Sequence, residues 1–279
     1  MTAASIERLD VDDFWKKGYA VLPGVYSPEE ISEFRAGAVA TQGLGGDLLV
    51  NPRLGSVLTD GRMVAVARRL LGVEDIHYGG DSSYTINGTQ RGWHKDNTDR
   101  RDGDAPDWTQ GRYTQLRFGI YCQDHTTHTG GLNLREGSHD VVDFSTGALR
   151  YVKVKPGDLA VWSMRITHSG NGMLLRWPFK QVPGPKQQDK VPSWKVAKAD
   201  GDRIAIFAHL GADDTHAKRY GDYLKTRTYM VNIWRKGGLY TDEALAAAKA
   251  AGLKVRDMPA EVMNDPEAGK LAEWEPFAY

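Results

Sequence analysis

The string Trp93-His94-Lys95-Asp96-Asn97 carries the most chemical content in the chain. On an extended segment, residues i and i+2 project to the same face, so His94 and Asp96 present an imidazole and a carboxylate side by side. Joined by a distant histidine, they would make the two-histidine, one-carboxylate set of non-haem iron sites, which leaves coordination positions open. The triplet alone is weak: with eight histidines and 36 acidic residues in 279, roughly one such triplet arises by chance. His168 is a candidate for the third ligand. It follows the tight turn Pro156-Gly157-Asp158 and the apolar run Leu159-Ala160-Val161-Trp162, and the small pair Ser169-Gly170 behind it permits close approach. The rival pair His125-x-x-His128 sits in a threonine-rich turn with no third ligand nearby in sequence. His139, in Gly137-Ser138-His139, reads as a residue that caps or packs at a turn.

Composition narrows the options. The single cysteine, Cys122, excludes an internal disulfide framework and any cysteine-based zinc or iron–sulfur site. Metal chemistry must therefore come from histidines and carboxylates. Lys plus Arg equals Asp plus Glu at 36, a balance that speaks against a dedicated nucleic-acid binder. The mean hydropathy is −0.50, and no run approaches the ~18 apolar residues of a spanning helix. The first ten residues lack a basic stretch followed by an apolar one, so the expected location is cytoplasmic. The expected partner is a small molecule, with neither nucleic acid nor membrane.

The elements that must position these groups can be read in outline. Residues 10–17 place Val11, Phe14 and Trp15 on one helical face, and a short strand 19–22 follows Gly18. Ser27-Pro28-Glu29-Glu30 is a strong helix start, with a capping serine, a proline at the first turn and acidic residues at the positive end. Further helices are expected over 61–71 and 241–251. Between them, candidate strands at 76–78, 83–87, 115–123, 131–134, 151–155, 159–164 and 203–209 suggest an antiparallel sandwich or barrel. The polar stretches 97–112 and 172–201 read as long loops of the kind that form lids. One domain over 1–279 is the simplest organisation: a helical region to about 75, a β core over about 76–210 with an insertion at about 172–201, and an extension over 211–279.

In order along the chain, these strings resemble the phytanoyl-CoA dioxygenase family of Fe(II)/2-oxoglutarate-dependent oxygenases. The opening from Phe14 through Gly18-Tyr19 and Pro23-Gly24 to Ser27-Pro28-Glu29-Glu30 is similar to the family's N-terminal signature. His94-Lys95-Asp96 resembles its His-x-Asp motif. The stretch from Gly131-Leu132-Asn133-Leu134 through Gly137-Ser138-His139 resembles its glycine–leucine strand and Pro-Gly-Ser-His turn, with Glu136 where proline is usual. Gly157-Asp158 followed by His168 resembles the lead-in to the distal iron histidine. The resemblance implies a mainly β fold with flanking α, a double-stranded β-helix (cupin-like jelly roll) core behind N-terminal helices. It implies His94, Asp96 and His168 as catalytic Fe(II) ligands, with 2-oxoglutarate and O2 as co-substrates. It also implies an arginine on the last core strand for the distal carboxylate of 2-oxoglutarate, where a planar guanidinium can bind bidentately. Arg203, heading Ile204-Ala205-Ile206, is preferred over Arg176, and residues 172–201 are then an insertion. Tyr84, Gln115 and Trp162 are further candidate co-substrate contacts, and Thr114, Arg117 and Asn133 could also face inward. A one-residue slip exchanges the inward and outward sets.

The presence of Asp96 favours hydroxylation, desaturation or oxidative cyclisation over halogenation, because related halogenases lack that carboxylate. The substrate expectation is a small natural product undergoing tailoring, possibly sugar-containing, with Trp93, Trp108, Trp177 and Trp194 available to stack and a lysine-rich 172–201 segment over the mouth. Two other classes fit the same residues: a non-catalytic cupin-like binding module and a zinc-dependent hydrolase.

Overall fold

The computed structural model describes residues 2–88 and 92–271. It is a mixed α/β molecule built on a large, mostly antiparallel sheet. Ten strands occur among the described residues: β1 Tyr19–Leu22, β2 Ile76–Tyr78, β3 Ser82–Ile86, β4 Gln115–Tyr121, β5 Gly131–Glu136, β6 Ala148–Val152, β7 Leu159–Ser163, β8 His168–Gly172, β9 Ile204–Ala212 and β10 Leu253–Val255. The seven-stranded sheet runs β1-β7-β4-β9-β2-β10, with β3 also on β9; the three-stranded sheet runs β6-β5-β8. The expected strands are present, with edges moved by a few residues. β8 and β10 are additions, so His168 opens a strand rather than lying beyond one.

Side-chain alternation sorts the large sheet into two faces. Leu116, Phe118 and Ile120 of β4, Leu159 and Val161 of β7, and Ile204, Ile206 and Ala208 of β9 pack with Phe14, Ile31, Phe34, Val64 and Leu70 of the N-terminal helices. The other face gives Tyr121, Ala160, Trp162 and Ala205, which pack with Leu132, Leu134 and Val152 of the small sheet. The helix Pro28–Ala40 begins in a capping box: Glu30 N donates to Ser27 Oγ (3.2 Å) and Ser27 N to Glu30 Oε2 (2.8 Å). No described helix is long and apolar enough to cross a membrane.

Residues 172–201 make defined contacts. Leu175 bridges Val196, and Asn133 Nδ2 donates to Pro183 O at 3.2 Å. Because neighbouring Leu132 faces the cavity between the sheets, Asn133 projects from the opposite, outer face of the small sheet. Pro183 thus seats on the outer face of that sheet, and no residue of 173–201 lines the cavity, which corrects the expectation that this segment covers the metal mouth.

Asp47, buried under this helical layer, accepts from Leu49 N (2.8 Å) and from the Tyr240 hydroxyl. Burial pushes its carboxyl up to about 6, against those hydrogen bonds. Its unfolded value is about 3.9, so folding favours the protonated form. The stability this group supplies is complete below about pH 4 and lost as pH rises through about 6. Asp47→Asn is expected to gain on the parent by up to about 3 kcal/mol between about pH 4 and 7. Urea midpoints at both pH values check this; a pH-independent difference between the two proteins would refute it.

Candidate metal centre and its cavity

His94 lies on a short extended segment, not a full strand. It forms an isolated bridge with His168: His94 N donates to His168 O (3.0 Å) and His168 N to His94 O (2.9 Å). This pairing brings the two imidazoles side by side, with centroids 4.2 Å apart and the ring planes tilted by 52°. Asp96, two residues on, faces the same way, and its backbone N donates to Met164 O at 2.8 Å. The carboxylate lies 3.8 Å from His94 Nε2 and 3.6 Å from His168 Nε2. Donors ~2.1 Å from a shared ion lie at most ~4.2 Å apart, so both distances suit one metal ion. Among the described residues this is the sole group of three or more His, Cys, Asp or Glu close enough to hold one.

Protonation favours the same reading. His94 Nδ1 contacts Gly92 O (2.9 Å) and His168 Nδ1 contacts Ile166 O (3.1 Å). A carbonyl only accepts, so each Nδ1 carries a proton and each ring turns its Nε2 toward Asp96. Burial, and then the neighbouring His94, push His168 down to about 4, so it is neutral at neutral pH. Burial acts to raise the Asp96 carboxyl, but His168, Arg117 and His94 outweigh it and hold the group well below the usual carboxylate range. Arg117 Nε donates to Asp96 Oδ2 (3.2 Å), and its Nη2 pairs with Asp81 Oδ2 (2.8 Å). Tyr220 OH also donates to Asp81 Oδ2 (2.7 Å). Arg117 thus orients the carboxylate from outside the ligand set, as such partners do in metal sites.

The group opens into a cavity of about 570 Å³ between the two sheets, within the ~300–1,000 Å³ of small-molecule sites. Arg203, just ahead of β9, lines it. Its Nε donates to Gly130 O and its Nη1 to Thr85 Oγ1 (3.4 Å), and among the described residues no carboxylate pairs with it. Burial lowers its pKa from the ordinary arginine value. Arg176 is exposed, donates to Val196 O (2.8 Å) and does not line the cavity. Trp162 lines the cavity, with its ring 5.7 Å from that of His168.

Two expected contacts lie elsewhere. Tyr84 pairs in register with Ile206, which faces the helices. Directly paired residues share a face, so Tyr84 turns away and its hydroxyl bonds Thr41. Ser83 and Thr85 line the cavity in its place. Gln115 shares Arg117's face but stands behind the cavity wall, where its Oε1 meets His209 Nε2 at 3.0 Å and its Nε2 contacts Thr114. His125 Nδ1 meets His128 O at 3.4 Å, and His139 Nε2 meets Trp15 O at 2.8 Å. Trp177 and Trp194 are exposed, Trp108 lies under Lys95 and Arg165, and Trp93 lies against Arg135; none lines the cavity.

The missed wall comes from helices Thr215–Thr226 and Thr228–Gly237, which supply Tyr220, Tyr223, Tyr229, Met230 and Ile233. Asp214 caps the first helix, accepting from Ala217 N at 3.1 Å. The Asp214 cap and the Tyr220, Tyr223, Leu224 spacing were the available sequence signals. The helix is anchored from behind by Arg219, paired at 2.9 Å with both Asp99 and Asp107 of the 97–112 segment. That segment sends Arg100 into the cavity.

No protein-family model and no curated protein matches the sequence. Solved structures do match the fold. SnoK, a non-heme alpha-ketoglutarate-dependent carbocyclase from nogalamycin biosynthesis, aligns with a TM-score of 0.52 at 18% identity over 75% of this chain and 86% of its own. HygX from Streptomyces hygroscopicus, with nickel and 2-oxoglutarate bound, gives 0.51 at 17% identity over 74% and 87%. EctD from S. alaskensis, with 2-oxoglutarate and 5-hydroxyectoine, gives 0.51 at 17% identity over 72% and 74%. The likeness is one of fold.

Proposed function

We propose that this chain is an Fe(II)- and 2-oxoglutarate-dependent oxygenase of the phytanoyl-CoA dioxygenase type, with a jelly-roll core. It hydroxylates or oxidatively cyclises a small molecule in a natural-product tailoring step. The carrying observation is the convergence of two imidazole Nε2 atoms and one carboxylate on the wall of a cavity that also holds Arg203. Support comes from the fold's likeness to SnoK, an alpha-ketoglutarate-dependent carbocyclase, and to HygX, which has nickel and 2-oxoglutarate bound.

His94, Asp96 and His168 would hold the iron, a donor set that suits Fe(II) and leaves positions open. The iron and its co-substrate supply the oxidising chemistry when bound. Arg203 would pair with the distal carboxylate of 2-oxoglutarate, a charge-assisted contact that its present neutral partners leave room for. Arg117 holds the Asp96 carboxylate in place. Trp162, Phe207, Tyr220, Tyr223 and Tyr229 give one part of the cavity an aromatic lining that suits a ring-bearing substrate.

The test is a screen of candidate small molecules for succinate release that requires both oxygen and Fe(II). Activity with zinc in place of iron would instead indicate a hydrolase. Failure to bind 2-oxoglutarate in the presence of Fe(II) would indicate a binding module.

A further inference from the structure

Lys95 separates the two ligand residues of the first string, and the structure gives it an unusual setting. His94 and Asp96 face the cavity, so Lys95 projects from the opposite side of the segment. Its side chain is fully buried. The ammonium donates to two backbone carbonyls, Ser138 O and Arg165 O, each at 2.7 Å. The rings of Trp108 and Phe144 lie 5.5 and 5.7 Å from Nζ. A lysine is rarely buried without a partner, because the desolvated ammonium costs several kcal/mol unless its donors are satisfied.

The two carbonyls identify what the cation holds together. Arg165 lies in the turn 164–167 that delivers His168, and Met164 of the same turn accepts the Asp96 backbone N–H. Ser138 lies in the turn after β5, and its Oγ accepts from Thr167 N at 2.8 Å, one residue before His168. Lys95 therefore joins three segments: the one bearing His94 and Asp96, the turn leading into His168, and the turn that steadies that lead-in. Each ligand is within one residue of Lys95 or within three of Arg165.

We infer that Lys95 is a positioning residue for the metal centre: its ammonium sets the spacing between the His94–Asp96 segment and the His168 segment, and so the geometry of the three ligand atoms. This rests on the metal-binding reading proposed above. Lys95 touches neither metal nor substrate.

The test is Co(II) binding to the purified full-length chain, read by affinity and by the visible spectrum of the bound ion, well below the melting temperature of each protein. Lys95→Met keeps the chain length and removes the donors. It is expected to weaken Co(II) binding about 10–100-fold, the usual cost of losing a group that orients a ligand, and to shift the visible bands. Lys95→Arg keeps the charge but spreads its donors over a wider fork, and is expected to fall between Lys95→Met and the parent. A lower melting temperature with unchanged affinity and spectrum would assign Lys95 to stability alone and overturn the inference. Failure of both variants to fold would do the same. If the parent itself binds no Co(II), the metal reading fails as well, an outcome distinct from a variant that binds as the parent does.

Discussion

Replacing Asp96 by alanine is expected to abolish 2-oxoglutarate turnover coupled to substrate oxidation, and to weaken Fe(II) binding by more than the ~10–100-fold that follows loss of an outer-sphere partner. Two effects combine. One of three candidate ligands is removed. The Arg117 guanidinium, now paired with Asp96 at 3.2 Å and Asp81 at 2.8 Å, also keeps its charge beside a cation site that has lost its only carboxylate. Asp96→Asn keeps the shape and isolates the charge, so it is expected to retain more affinity than the alanine variant. Anaerobic Fe(II) titration and succinate assays check both. An alanine variant with full succinate-coupled turnover would remove Asp96 from the ligand set.

The second large effect is at Arg203. A hydrogen bond to a charged group contributes about 1.5–3 kcal/mol, so Arg203→Gln is expected to raise KM for 2-oxoglutarate by about 10–100-fold. Fe(II) affinity should change little, since Arg203 is not among the three candidate ligands. Arg203→Lys restores a charge without the fork, and an intermediate KM is expected. Arg176→Ala serves as the control: its side chain is exposed and bonded to Val196 O. If that variant raised KM while Arg203→Gln did not, the co-substrate contact would move to Arg176.

The β core and the candidate ligands were legible because their signals are local. Pro156-Gly157-Asp158 followed by an apolar run specifies a turn and a strand, and β7 follows it at Leu159–Ser163. The i, i+2 rule placed His94 and Asp96 on one side even though the segment forms only an isolated bridge. Tyr84 shows where local reading stops. Nothing within 83–87 says which residue of β9 it will oppose, and the pairing with Ile206 sends the tyrosine to the helical side. The 172–201 segment failed for a related reason: composition marks it as a loop, but its seat against Asn133 depends on which face of β5 turns outward. The tyrosine wall went unread because an amphipathic helix advertises burial and not the identity of the space it borders.

The separation between β-strand chemistry and helical wall has a consequence for how such a protein can diversify. The ligands and Arg203 sit on or beside strands held by sheet pairing, whereas Tyr220, Tyr223, Tyr229, Met230 and Ile233 all lie on two consecutive helices. The first helix is fastened at its back by Arg219 to Asp99 and Asp107. Its front can be rewritten while that fastening persists. Tyr220 is the exception, because its hydroxyl bonds Asp81 beside Arg117; a library confined to residues 223–233 would recast the cavity wall while leaving the surroundings of Asp96 in place.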